Sequence, residues 1–341
     1  MGHYSVALTL KEQIEEMNPT ANVSVVDFIQ YMIPKVNDIA YGAYNVMVDK
    51  FPNIYNLLNN ISSKNSKVPL SKKIFEKLSV LLNDCDVVIS TLPICSQYVS
   101  AYKKTKKSSI YLYTYVTDIL IHGEWISENV NMYFVGDRMT KDILISKGVS
   151  PQIIKVTGIP VKKEFKYEKK NPKMKKVLVM GGGLGIIPQI EEFLNYMNTH
   201  KEIAITVITG KNVKLMKKIQ TKFPDINVVG YTNNVSKYMN EADLVITKAG
   251  GITTFEAIHS MVPLCIIKPF LCQEVGNANF IDMKNIGQVF WNNKKWASNV
   301  IEILNDDEKL KNMKINMKKV NDNFEKYSIF DAILEKKTNK C

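Results

Sequence analysis

Short apolar runs alternate with longer stretches of helical periodicity along almost the whole chain. Residues 23–28, 87–91, 110–116, 177–180, 204–209 and 244–247 are rich in β-branched and aromatic side chains and nearly continuous in apolar positions. Strands buried on both faces read this way. The strand-helix rhythm predicts an α/β chain of parallel, doubly wound sheets with helices on both faces. The start of the chain departs from it. Val6, Leu10, Ile14 and Met17 lie at helical spacing, and Asn18-Pro19 ends the run. A doubly wound domain begins with a strand, so a first N-terminal strand is expected to be missing, with sequence upstream of Met1 supplying a short apolar run that ends in glycines.

The pattern breaks once more. No apolar periodicity crosses residues 166–176, where Lys166, Lys169, Lys170, Lys173, Lys175 and Lys176 surround Pro172. Such a stretch reads as a solvated linker. The expected division is a first domain over 1–165, a linker over 166–176, a second domain over 177–320, and a C-terminal helix and tail over 321–341. Two doubly wound halves facing each other across a cleft hold their ligands at the carboxyl ends of the strands.

A chain of 341 residues suits two cores rather than one. Its 45% apolar and 23% charged residues exclude a disordered chain. No apolar run reaches the roughly 18 residues of a membrane span, and no basic-then-apolar leader opens the chain, so the expected location is the cytoplasm. Cys85, Cys95, Cys265, Cys272 and Cys341 lack the close spacings of a zinc site and read as reduced thiols. The formal charge is +12, and Arg138 is the only arginine. Lysine suits diffuse attraction to anionic surfaces, whereas base reading leans on the arginine fork, so nucleic acid is not an expected partner. A solvated lysine coat and an anionic membrane surface both remain open readings.

Three segments in the second half can carry chemistry. Met180-Gly181-Gly182-Gly183-Leu184-Gly185 follows a strand and precedes a helix expected near Pro188. Glycines there admit a ligand to the backbone, and the helix start offers N–H groups to an anion, although a tight turn alone explains the same residues. Neither the lysine of a P-loop nor the acidic residue of a nicotinamide site follows; the next strand ends at Thr209-Gly210-Lys211 instead. Lys248-Ala249-Gly250-Gly251-Ile252-Thr253-Thr254-Phe255-Glu256 opens another helix. Gly250 and Gly251 can present N–H groups to a phosphate, Thr253 a hydroxyl, and Glu256 can accept from vicinal hydroxyls such as a ribose diol. The alternative for Glu256 is a first-turn carboxylate that only balances the helix dipole. The third segment, residues 268–279, offers Gln273, Glu274, Asn277 and Asn279 to sugar hydroxyls, or simply caps a helix with polar groups. No acidic pair at metal-ligand spacing lies near the phosphate segment, so neither a metal nor another cofactor is expected.

With these segments at the ends of successive strands, the chain resembles the monogalactosyldiacylglycerol synthase and processive diacylglycerol glucosyltransferase family, related to the enzyme that forms lipid II. The resemblance covers nearly the whole chain and implies the GT-B fold, two Rossmann-like domains across a cleft. It implies that Gly182 and Gly183 face the cleft, with Gly210 at the next strand end. Lys248, Gly250, Gly251 and Thr253 then hold the diphosphate, Glu256 the ribose, and Gln273 and Glu274 the sugar; Asn277, from the same polar segment, is counted in the UDP-sugar site. Gly230-Tyr231-Thr232-Asn233 is similar to the family's uracil-side loop; Ala249 stands where the family has proline. In the N-terminal half, Thr117-Asp118, His122, Trp125 and residues 156–160 resemble the lipid-glycosylating branch. Gly2-His3 resembles the end of the family's Gly-Gly-Gly-His loop.

The implied reaction is inverting transfer of glucose or galactose from UDP-glucose or UDP-galactose to diacylglycerol, with His3 as base and Asp118 or His122 assisting or replacing it. The first domain then takes the acceptor and the membrane, the second the UDP-sugar, and the protein works peripherally on the inner face of the membrane. Residues 29–60, with Tyr31, Met32, Tyr41, Tyr44, Met47, Phe51 and Tyr55, read as helical core or as an interfacial amphipathic surface. A related enzyme with another lipid-linked or soluble acceptor, and an inactive nucleotide-sugar-binding protein, are the alternatives.

Overall fold

The computed structural model describes residues 2–32, 71–121, 123–167, 174–269, 271–292 and 296–338. Two compact units form: Met1–Pro160 with Leu271–Gln273 and Phe324–Cys341, and Val161–Phe270 with Glu274–Asn323. Among the described residues no helix is long and apolar enough to cross a membrane.

The first unit holds a parallel sheet in the order β1 (Val87–Ser90), β2 (Tyr111–Tyr115), β3 (Met132–Val135) and β4 (Ile154–Val156). Its described helices are α1 (Gly2–Met17), α2 (Phe28–Met32), α3 (Lys72–Leu82), α4 (Pro93–Lys106), α5 (Arg138–Ser146) and, returning from the chain's end, a helix over Ile329–Thr338. Helix α1 buries Val6, Leu10 and Ile14 as its spacing predicts, with Thr9 beside them. Met17 does not follow; at the last position it is 53% exposed.

The run at 23–28 is not a strand. Asp27 accepts a hydrogen bond from the Gln30 amide at 3.0 Å, so Phe28 opens α2 instead of closing a strand. Among the described residues no strand pairs with the extended stretch before it, and a strand exists only through its ladder. Of the aromatic stretch 29–60, only its first residues are described; 33–60 lie outside the described residues. Met32 is core, Tyr31 packs against that core, and Lys77 Nζ donates to the Tyr31 and Met32 carbonyls at 3.0 and 2.9 Å.

The chain's end completes this unit. Glu325 N donates to the Val156 carbonyl at 2.7 Å, and Val156 N to Glu325 Oε1 at 3.0 Å, which closes part of the open edge of β4. Tyr113 on β2 donates its hydroxyl to the Ala332 carbonyl at 2.7 Å.

The second unit carries six parallel strands. They are β5 (Lys175–Met180), β6 (Ile203–Ile208), β7 (Asn227–Val229), β8 (Leu244–Thr247), β9 (Leu264–Ile267) and β10 (Gly287–Phe290), in the order β10-β9-β8-β5-β6-β7. The chain steps from β5 outward to β7, then crosses back to β8 on the other side of β5. The strand order therefore reverses between β5 and β8, where such sheets open a crevice for ligands. Strand β5 begins inside the stretch expected to be linker. Lys175 pairs with Asp307 at 2.6 Å and Lys176 with Glu241 at 3.0 Å, so these lysines extend from the strand's first residues with their charges at the surface. Residues 168–173 of that stretch lie outside the described residues. The core gathers Val177, Val179, Phe193, Leu194, Val207, Ile246 and Trp296, with the Phe193 and Trp296 rings stacked at 4.4 Å.

Candidate active site

At this reversal, the loops after β5, β6 and β8 are built on one another. Gly182 has φ +69° and Gly185 φ +65°, a region that side-chain-bearing residues rarely enter. A Cβ at Gly185 would fall on the Thr209 carbonyl, and one at Gly210 would lie 2.6 Å from the Gly183 carbonyl. The glycines let two strand-end loops touch, and Lys211 N donates to Gly183 O at 3.0 Å. The helix after this loop starts later than expected. It runs over Ile190–Met197 (α6), behind Gln189 with φ +54°, so residues 181–185 form a turn of their own and no helix terminus follows them directly. The buried Ile187 anchors the intervening bend.

After α7 (Val213–Lys222) and α8 (Val235–Glu241), the loop that follows β8 leads straight into α9 (Gly251–Ser260) with Gly250 as its N-cap. The amide of Gly250 is already engaged, donating to the Lys248 carbonyl at 2.8 Å. The first helical bond runs from Thr254 N to Gly250 O at 2.9 Å. The N–H groups of Gly251, Ile252 and Thr253 precede that bond and are the first-turn donors that no helix can satisfy internally. The Gly250 amide, expected to meet a phosphate, is paired within its own turn. Lys248 pairs with the buried Glu274 at 3.4 Å, and its Cε lies 3.2 Å from where a Gly182 Cβ would stand. The ammonium therefore sits over the strand-order reversal, between both loops.

Glu256 lies one turn into α9, half-buried. Burial pushes its carboxyl up to about 8, against the opposing charge of Lys162. Tyr231, on the loop after β7, is 57% exposed, with Lys211 Nζ 5.9 Å from its ring centre. Gln273 and Glu274 occupy the first turn of α10 (Cys272–Lys284). Asn277, expected to reach the sugar, is 1% exposed and donates Nδ2 to the Ala249 carbonyl at 3.0 Å.

In the first unit a second group forms at the carboxyl ends of β1 and β2. Thr117 Oγ1 lies 2.9 Å from His3 Nδ1, Thr91 Oγ1 donates to the His3 carbonyl at 2.9 Å, and the Trp125 ring stands 6.3 Å away. Burial lowers the imidazole to about 4, so it is neutral at physiological pH. Asp118 follows Thr117 on the same loop, half-buried; His122 lies outside the described residues. Sequence reasoning singled out neither hydroxyl as a site residue. Thr117 could have been found from its place beside Asp118 at a strand end, but Thr91 carries no signal of its own.

Residues 3–161 match the family model of monogalactosyldiacylglycerol (MGDG) synthase, and residues 176–333 that of the glycosyltransferase family 28 C-terminal domain. The processive diacylglycerol beta-glucosyltransferase of Bacillus thuringiensis is 30% identical over 355 residues, spanning 98% of this chain and 90% of that protein. Among solved structures, Acinetobacter baumannii MurG superposes with a TM-score of 0.59 at 13% identity, over 95% of this chain and 92% of its own. Anabaena HepE in complex with UDP-glucose gives 0.52 at 11% identity, over 79% and 82%. Both likenesses are of fold.

Proposed function

The chain belongs to the monogalactosyldiacylglycerol synthase and processive diacylglycerol glucosyltransferase family of GT-B, UDP-sugar-dependent glycosyltransferases, and from that premise we propose that it transfers glucose to diacylglycerol with inversion. The observation that carries the reading is the junction of three strand-end loops at the order reversal between β5 and β8. A nucleoside diphosphate fits there: first-turn amides of α9 and Lys248 toward the phosphates, Glu256 toward the ribose and Tyr231 toward the base. Gln273 and Glu274 lie toward the sugar. Glucose is preferred over galactose because the Bacillus relative is named a glucosyltransferase.

The acceptor hydroxyl attacks the anomeric carbon from the face opposite UDP. A new C–O bond forms as the bond to the β-phosphate oxygen breaks, and UDP leaves with the electron pair. His3 takes the hydroxyl proton. Its lowered pKa keeps it neutral, and if Thr117 accepts from Nδ1–H, Nε2 is left as the basic nitrogen. Asp118 orients or replaces it. The departing diphosphate gathers charge, which the dipole and amides of α9 with the Lys248 ammonium stabilise. These donors neutralise the phosphates with no metal in the scheme, so chelation with EDTA should leave turnover unchanged. The lipid is reached peripherally from the cytoplasmic face, the lysine excess drawing the protein to anionic headgroups.

The test is release of UDP from UDP-glucose and from UDP-galactose, each with and without diacylglycerol vesicles, with the lipid product identified by mass spectrometry. Diacylglycerol-dependent release with glucosyl product is expected from UDP-glucose. Release independent of diacylglycerol would reject the acceptor, and preference for UDP-galactose would reject the sugar.

A further inference from the structure

We propose that Asn277 is a positioning residue for the donor's diphosphate and not a ligand of its sugar. The inference rests on the reading that UDP binds at the order reversal of the second sheet. The peptide plane between Ala249 and Gly250 carries the Ala249 carbonyl on one side and the Gly250 N–H on the other. Asn277 Nδ2 holds that carbonyl at 3.0 Å, and the Lys248 carbonyl holds that N–H at 2.8 Å. The plane is thus fixed at both ends. Ala249 is fully buried and Asn277 nearly so, so water does not compete for either group. Directly after the plane come Gly250 and Gly251, whose backbones have the widest choice of conformations. Without the clamp, that freedom would let the plane turn and carry the first amides of α9 off the phosphates.

Asn277 also links the two halves of the donor site. It stands three and four residues after Glu274 and Gln273, on the same face of α10. Glu274 meets the same turn through Lys248, at 3.4 Å. The helix that faces the sugar therefore grips the phosphate turn twice.

The full-length chain with Asn277→Asp, which keeps the shape and loses the donor, and with Asn277→Ala, tests this. UDP and uridine affinities are measured by calorimetry and ligand-observed NMR, with folding followed by circular dichroism. The ratio of UDP to uridine affinity should fall at least tenfold, while uridine affinity stays within about twofold. An unchanged ratio in a folded variant overturns the proposal, as does loss of UDP-glucose binding with UDP binding intact, which would make Asn277 a sugar ligand. If both variants fail to fold, Asn277→Ser, a smaller and still polar replacement, is read by the same ratio. Wild-type chain that binds no UDP would instead reject the donor site itself.

Discussion

Burial moves His3 and Glu256 in opposite directions, and each shift has a consequence for pH. The neutral imidazole can accept a proton from an acceptor hydroxyl until the pH falls to about 4. The acid limb of kcat/KM should therefore lie near pH 4, not near the ordinary histidine value of about 6.5. A limb at 6.5 in a pH-rate profile with UDP-glucose and diacylglycerol would show that His3 is not the base in this setting. Glu256 has its folded pKa raised to about 8. A raised carboxyl binds its proton more tightly in the folded state, so its contribution favours folding at low pH and is lost as pH climbs from the ordinary carboxylate range through 8. Glu256→Gln should flatten the decline of the urea midpoint between pH 5 and 8, and an unchanged decline would assign it to other groups. Glu256→Ala should also weaken UDP binding about tenfold, the loss of hydrogen bonds worth roughly 1.5 kcal/mol.

The elements show why the glycine turn and the chain's end cannot be altered freely. At Gly185 any side chain meets both a positive φ and the Thr209 carbonyl. Left-handed backbone alone costs about 1–2 kcal/mol for a residue with a Cβ, so Gly185→Ala should lower the melting temperature and loosen UDP binding together. A variant with wild-type melting and affinity would mean that the two loops separate at no cost. In the first unit, Glu325 satisfies the Val156 amide and lies 3.7 Å from Lys141 and 4.0 Å from Lys155. The part-exposed ion pairs contribute little, but leaving the buried amide unpaired costs about 1–3 kcal/mol. Glu325→Ala should destabilise the protein by that amount in denaturant unfolding. No change would show that water replaces the carboxylate at the edge of β4.

For the whole molecule the question is what the charge of +12 is for. If lysines draw the protein to anionic lipid at roughly 1 kcal/mol each near the surface, vesicle binding should rise with anionic lipid content. It should weaken as salt shortens the screening length from about 10 Å at 0.1 M. Equal sedimentation with neutral and anionic vesicles at low salt would reduce the lysines to a solvated coat.

The sequence by itself determined the α/β class, the strands β5, β6 and β8 whose loops meet at the order reversal, and the glycine turns that close those loops. Runs such as 244–247 are nearly continuous in apolar residues, as strands covered on both faces are. The family was legible for the same reason, since its motifs sit in short stretches at strand ends. Tertiary structure decided what local pattern does not encode. Residues 23–28 have strand composition but no ladder partner among the described residues, and Asp27 turns them into a helix start. Asn277 and Gln273 look alike in sequence, yet one faces the Ala249 carbonyl in the core. The Gly250 amide, which its place at a helix start offers to a phosphate, is held by the Lys248 carbonyl. Each of these depends on which group lies opposite, and that is fixed only when distant segments pack.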